Sequence, residues 1–254
     1  MSNGLEGGII CGSGLYRLPI EGRKEKVVNT PFGDVSLAVG RLKGKRVGFL
    51  PRHGPEHTEP PSQISYRANI FSLFTLGADW VLTTSAVGSL QKAVDVGSFV
   101  ILDQIIDFTK HRTDTFFQGN FSVEMPDERI KSGVVHTDMT QPYCETLRKA
   151  ILEAATTGVE DVHPRGTYIC TEGPRFETAS EIKFFSQLGD VIGMTQAPEV
   201  FLANELELCY ATIATVTNYA AGMQEKVTHS EVINVIDERR EDLITLIKAT
   251  LELL

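Results

Sequence analysis

Residues 46–89 read RVGFLPRHGPEHTEPPSQISYRANIFSLFTLGADWVLTTSAVGS. Arg46–Leu50 is short and apolar and stops at Pro51, as a buried strand does. Ser65–Leu76 has the length and apolar spacing of a helix, and Trp80–Ser85 is apolar and rich in threonine, a second strand. Strand, helix and strand in succession are the unit of an α/β fold. Outward from this unit the alternation continues. Strands are expected at Gly8–Cys11, Val35–Leu42, Phe99–Asp107, Gly166–Thr171, Val191–Met194 and Tyr210–Thr217. Helices are expected at Tyr143–Thr156, Thr178–Leu188, Pro198–Leu206 and Thr228–Leu253. The last opens on Thr228 as an N-cap with Glu231 three residues on, and Val232, Ile236, Leu243, Ile244, Ile247, Leu251 and Leu254 make one apolar face. The pattern predicts an α/β fold with a mixed or mostly parallel sheet flanked by helices. His111–Asp138 is polar, aromatic and poorly periodic, and reads as a long lid, binding loop or interface.

No linker composition or internal repeat divides the chain, so residues 1–254 are expected to form a single domain. A chain of 254 residues can bury roughly 70–75% of its unfolded surface and needs no staples. Apolar residues at 42% and charged residues at 22% exclude wholesale disorder. A net charge of −9 makes a poor binder of nucleic-acid backbones, though a local basic pocket can still hold a small anion. Cys11, Cys144, Cys170 and Cys209 are scattered, without zinc spacing. Cys11, Cys170 and Cys209 sit in apolar runs and read as buried free thiols. The N-terminus lacks the basic and apolar regions of a signal peptide, and no run of eighteen apolar residues suggests a membrane span. A cytoplasmic location is the default expectation.

Four segments could carry chemistry. Gly12-Ser13-Gly14 follows a strand, where glycines let backbone N–H groups approach an anion and the serine adds a donor. A dinucleotide fingerprint fails here, because Arg17 stands where the third glycine is needed and Pro19 spoils the following helix. A plain tight turn is the bland alternative. Arg52-His53-Gly54 places a guanidinium fork and an imidazole at a strand end, suited to phosphate. His53 and His57 have a metal-like spacing, but Pro55 between them argues against one helix face, and no metal site is expected. The same triplet resembles the histidine-phosphatase signature, in which the histidine attacks phosphorus. Thr83–Ser89 runs from a strand into small hydroxyl residues and glycine, the kind of polar strand end at which open α/β sheets bind ligands. Phe176-Glu177, with Met194-Thr195 and Asn218, combines a stacking face, an acceptor and an amide that both donates and accepts. That set can read a heterocyclic base, although Glu177 could equally start a helix at Thr178.

In this order the segments resemble the trimeric purine nucleoside phosphorylase and methylthioadenosine phosphorylase family. The resemblance runs from about Gly8 to the last helix. It includes Thr30-Pro31-Phe32-Gly33, Tyr66-Arg67-Ala68-Asn69, Ser85-Ala86-Val87-Gly88, Gly173-Pro174-Arg175-Phe176, Gly193-Met194-Thr195 and Pro198-Glu199. It makes the phosphatase reading remote. The resemblance implies a central twisted, barrel-like mixed sheet and assembly as a trimer, with hexamers also occurring in such families. It implies attack of inorganic phosphate on C1′ of a purine nucleoside, giving a free base and a pentose 1-phosphate, with no metal or organic cofactor. Nucleoside and phosphate would then be the partners, with no nucleic acid or membrane involved. By the same resemblance phosphate would be held by Ser13, Arg52, His53, Ser85, the Ala86 backbone and Thr195. Met194 would pack under the ribose, Phe176 would stack near the base, and Glu177 and Asn218 would read its edge. Arg52, His53 and Asn218 would carry the catalysis. His229 and Val232 would face the 5′ group, with His57 near the same mouth. His136 would lie on a loop that reaches a neighbouring subunit's 5′ pocket.

The methylthioadenosine branch usually carries Asp at the position of Asn218 and a small hydroxyl residue at that of Glu177. An amide can donate to O6 or N7 of a 6-oxopurine, and a carboxylate can accept from its N1–H. With adenine, N1 is an acceptor facing that carboxylate, a mismatch worth about 1–3 kcal/mol. The expected substrates are therefore inosine, guanosine or 5′-methylthioinosine, with 5′-methylthioadenosine as the alternative.

Overall fold

The computed structural model describes residues 4–54 and 58–254. Its first half contains β1 (Gly7–Cys11), β2 (Glu21–Thr30), β3 (Gly33–Leu42), β4 (Lys45–Pro51), α1 (Tyr66–Thr75), β5 (Trp80–Ser89), β6 (Phe99–Ile101) and β7 (Gln104–Asp107). Then come β8 (Ser122–Glu124), β9 (Ile130–Ser132), α2 (Glu145–Ala155), β10 (Val162–His163) and β11 (Thr167–Cys170). The chain ends with α3 (Ala179–Phe185), β12 (Val191–Gly193), α4 (Gln196–Glu205), β13 (Cys209–Tyr219) and α5 (His229–Leu253).

Eleven strands form one mixed sheet whose main path is β10-β6-β13-β5-β1-β4-β3-β2. A branch leaves β5 through β12 to β11 and β7. The branches rejoin along the chain, because β6 and β7 are separated only by Leu102 and Asp103. The expected strand Phe99–Asp107 is thus broken: its first half pairs with β13 and its second with β11. Strands β5, β13, β6, β7, β11 and β12 close a ring, the barrel-like centre. The apolar faces of amphipathic helices cover the outside. On one face Leu147 and Ile151 of α2 join Leu243 and Ile247 of α5 over Ile9, Leu82 and Ile213. On the other, Ile70 and Leu73 of α1 share a core with Val200 and Leu202 of α4.

One break in pairing positions the site. On one side β5 pairs with β1 through Thr83 and with β12 only from Gly88 onward. Residues 84–87 therefore lack a strand partner on that side among the described residues. Their backbone faces a gap at the carboxyl end of parallel strands, where α/β folds bind ligands.

The sequence reading missed β2, whose stretch EGRKEKVVNT is mostly exposed. As an edge strand it carries charge on both faces, which hides the period-2 signal and protects the edge. Within His111–Asp138, β8 and β9 form a small hairpin. Arg129 and Lys131 of this region pair with Glu207 just beyond α4. Thr228 caps α5 by accepting from the Glu231 N–H, as expected. Glu231 does not complete the capping box; its carboxylate instead accepts from Gln224.

Cys209 corrects the thiol reading. It forms a disulfide with Cys144 across 65 residues. The Cys144 N–H donates to the Tyr210 carbonyl at 2.7 Å, so the start of α2 docks beside the start of β13. Only that tertiary contact reveals the pair. Cys11 and Cys170 are free and buried as expected, and burial pushes both thiols up to about 12. Closing a loop of this length restricts the unfolded chain by about 4 kcal/mol. Replacing Cys144 and Cys209 with Ala is expected to cost about that much in urea unfolding. A midpoint unchanged from the oxidised protein would refute it.

Candidate active site

One cavity of about 500 Å³ opens at the gap beside β5. Just past β1 stand Gly12 and Ser13, past β4 Arg52 and His53, and on β5 Ser85 and Ala86; all six line it. Phe176 and Glu177 come from the segment before α3, and Met194 and Thr195 from the turn between β12 and α4. Asn218 comes from the end of β13, and His229 and Val232 from the first turn of α5. Every site residue expected from the sequence except His57 and His136 therefore meets in one place. His57 lies outside the described residues, and His136 is exposed and does not line this cavity.

The glycines of Gly12-Ser13-Gly14 serve packing. A Cβ at Gly12 would stand 2.9 Å from Arg52 Nη1. Gly14 has φ +82°, and a Cβ there would collide with Ile236 of α5. Ser13 is thereby presented between a close arginine and the last helix.

Arg52 is 1% exposed. Its Nε and Nη2 donate to the two carboxylate oxygens of Glu199 at 3.0 and 2.9 Å, and Nη1 donates to the Thr84 carbonyl at 2.6 Å. Burial alone would ease proton loss, but the Glu199 carboxylate, helped by Tyr210 and Tyr66, outweighs it and Arg52 stays charged. His53 Nδ1 lies 2.8 Å from the Glu59 carbonyl, which only accepts, so this contact places the neutral ring's proton on Nδ1. The Ser85 and Thr195 hydroxyls face each other at 3.5 Å. These donors form the polar floor of the cavity.

At the other end, the β13 register shifts between Val216 and Asn218 against β5. Such a bulge re-aims the side chain that follows it. The Asn218 amide is then oriented by two contacts. Its Nδ2 donates to the Tyr219 carbonyl at 2.9 Å, and its Oδ1 accepts from Thr217 Oγ1 at 2.9 Å. Glu177 Oε1 accepts from the Thr171 hydroxyl at 2.5 Å. Burial pushes the Glu177 carboxyl above its usual range, against the lowering effect of that hydroxyl. Phe176, 40% exposed, forms a lip at the mouth. The cavity thus has a cation, a histidine and hydroxyls at one end and a planar-ligand reader at the other.

Residues 7–252 match the family described as the phosphorylase superfamily. The chain belongs to the phosphorylase superfamily. It is 52% identical to 6-oxopurine nucleoside phosphorylase of Pyrococcus furiosus, over 97% of this chain and 92% of that protein. It is 49% identical to S-methyl-5′-thioadenosine phosphorylase of Hyperthermus butylicus, over 92% of this chain and 82% of that protein. Among solved structures, methylthioadenosine phosphorylase from Schistosoma mansoni in complex with adenine is 32% identical with TM-score 0.87. That alignment covers 98% of this chain and 91% of the other. The mixed sheet flanked by helices is the fold of these phosphorylases.

Among the residues that sequence reasoning left without a role are two buried charged groups behind this cavity. Glu199 is fully buried, and its signal was a lone carboxylate inside the apolar run around Val200-Phe201-Leu202, which needs a partner. Arg112 hid in the segment read as a loop. It donates to the Met194, Ala197 and Glu172 carbonyls at 2.7, 2.6 and 2.7 Å. One guanidinium thus ties the strand leading to Phe176 and Glu177 to the turn carrying Met194 and Thr195.

Proposed function

We propose that the chain catalyses phosphorolysis of a 6-oxopurine nucleoside to the free base and a pentose 1-phosphate. Phosphate sits among Ser13, Arg52, His53, Ser85, the Ala86 backbone and Thr195. The sugar lies over Met194, and the base lies beside Phe176 between Glu177 and Asn218. Departure of the base leaves an oxocarbenium-like sugar and moves negative charge into the purine. Donors aimed at N7 and O6 stabilise that charge more in the transition state than in the ground state. Phosphate on the opposite side of C1′ supports the cation and then bonds to it. The reaction so written needs no resident cofactor.

The observation that carries the substrate choice is the fixed Asn218 amide. Tyr219 occupies one N–H and the other has no protein acceptor among the described residues, which suits O6 or N7. Glu177 supplies the acceptor for N1–H. The name of the Pyrococcus furiosus relative supports the same choice. His229 and Val232 give the 5′ end one polar and one apolar neighbour, so 5′-hydroxyl and 5′-methylthio groups are both within scope. The deciding experiment ranks inosine, guanosine, 5′-methylthioinosine, adenosine and 5′-methylthioadenosine by kcat/KM for phosphate-dependent base release. The 6-oxopurines should lead by about ten- to a hundredfold. A lead for 5′-methylthioadenosine overturns the reading and installs the alternative substrate.

The raised Glu177 carboxyl adds a pH signature. As pH falls through its pKa, the group gains a proton and loses the charge that makes it a strong acceptor for N1–H. The acid limb of kcat/KM for inosine is expected above the ordinary glutamate range, and Glu177→Gln should remove it. A wild-type profile flat down to ordinary carboxylate titration would contradict this. The exposed His136 loop fits a homotrimer in which that histidine completes a neighbouring site. Light scattering should then give three times the 28.0 kDa chain mass, or six times for a hexamer.

A further inference from the structure

We propose that Glu199 is a positioning residue for the phosphate end of the site, acting through Arg52. This rests on the phosphate placement proposed above. An arginine carries five N–H donors in a rigid fork. Three are committed within the protein, two to Glu199 and one to the Thr84 carbonyl. One remains on each terminal nitrogen. Arg52 lines the cavity and Glu199 does not. The carboxylate therefore grips the rear of the guanidinium while its outer edge faces the place assigned to phosphate.

Glu199 is itself fixed. Tyr210 donates its hydroxyl to Glu199 Oε1 at 2.8 Å. The same hydroxyl accepts from Thr83 at 3.2 Å and lies 3.1 Å from Gln196 Oε1. Glu199, Gln196 and Tyr210 are all within 1% of complete burial. In such a setting the pair has no net charge, but it is an oriented dipole with its positive end toward the cavity. Two consequences of removing the carboxylate then oppose each other. Orientation is lost, which weakens phosphate binding, and a charge is uncompensated, which strengthens it. A positioning role requires the first to win.

The test is Glu199→Gln, which keeps the shape and removes the second acceptor and the charge. Phosphate KM should rise about tenfold or more, with nucleoside KM at saturating phosphate within about twofold, because the base and sugar contacts are untouched. A fall in phosphate KM would make Glu199 an attenuator of Arg52 and overturn the proposal. So would losses in kcat that only track the folded fraction, with both KM values unmoved. If Glu199→Gln fails to fold, Tyr210→Phe decides. It removes the hydroxyl that fixes Glu199 and keeps the ion pair, and phosphate KM should rise by about two- to fivefold. An unchanged phosphate KM in that folded variant overturns the proposal. The phosphorolysis reading fails separately, if the wild-type protein releases no base in a phosphate-dependent way.

Discussion

Arg52→Met is expected to destabilise the protein by about 3–5 kcal/mol and to abolish phosphate-dependent turnover. The first effect follows from what is left behind. Glu199 is fully buried, and its two carboxylate oxygens both accept from Arg52. Methionine fills much of the volume but supplies no donor, so an uncompensated charge stays inside. The second effect follows from the cavity, whose floor loses its buried cation. A second substitution separates them. Arg52→Met with Glu199→Gln removes both charges and keeps a carbonyl for the Tyr210 hydroxyl, so most of the lost stability should return, because a buried ion pair is nearly neutral against a matched uncharged pair. Turnover should not return. Urea unfolding and base release measured on both variants decide the matter. Activity restored in the double variant would mean that Arg52 acts only on the fold.

Arg52 also shows what the sequence could and could not tell. Its place at the end of an apolar strand singled it out as a candidate, and the structure puts it on the cavity wall, because strand ends converge on one edge of an α/β sheet. Ser13, Ser85 and Asn218 were legible for the same reason. The direction of its fork was not legible. The guanidinium turns back to Glu199, which lies 147 residues away in sequence. No local pattern encodes that pairing. The disulfide between Cys144 and Cys209 and the Arg112 node escaped on the same ground, since each exists only once the chain has closed on itself. The edge strand β2 escaped for a different reason. Its charged faces serve to keep a neighbouring edge away, and that function erases the alternation by which strands are recognised. Conversely α5 was read to within a residue, because its cap and its apolar face are both local.

Asn218→Asp should shift the ratio of inosine to adenosine kcat/KM by about a hundredfold toward adenosine. The argument counts donors. The wild-type amide has two N–H groups, of which one goes to the Tyr219 carbonyl and one remains for O6 or N7. An ionised carboxyl has none, and it would set an oxygen against the Tyr219 carbonyl, acceptor to acceptor. That repulsion favours taking up a proton, and a protonated carboxyl has a single O–H. It cannot serve both the backbone and the base. Inosine thus loses its donor, while the 6-amino group of adenosine gains an acceptor. The single Thr217 hydroxyl proton, shared between the Val87 carbonyl and the residue-218 oxygen, is open to either side chain, so the group keeps its place and its chemistry changes. Glu177 still faces N1 in this variant, which should keep adenosine turnover below that of wild-type inosine. Adding Glu177→Gln should relieve the mismatch, since an amide can donate to N1. An unchanged inosine-to-adenosine ratio in Asn218→Asp would show that the base is read elsewhere. A changed ratio that Glu177→Gln does not extend would leave Asn218 as the reader and remove Glu177 from the role.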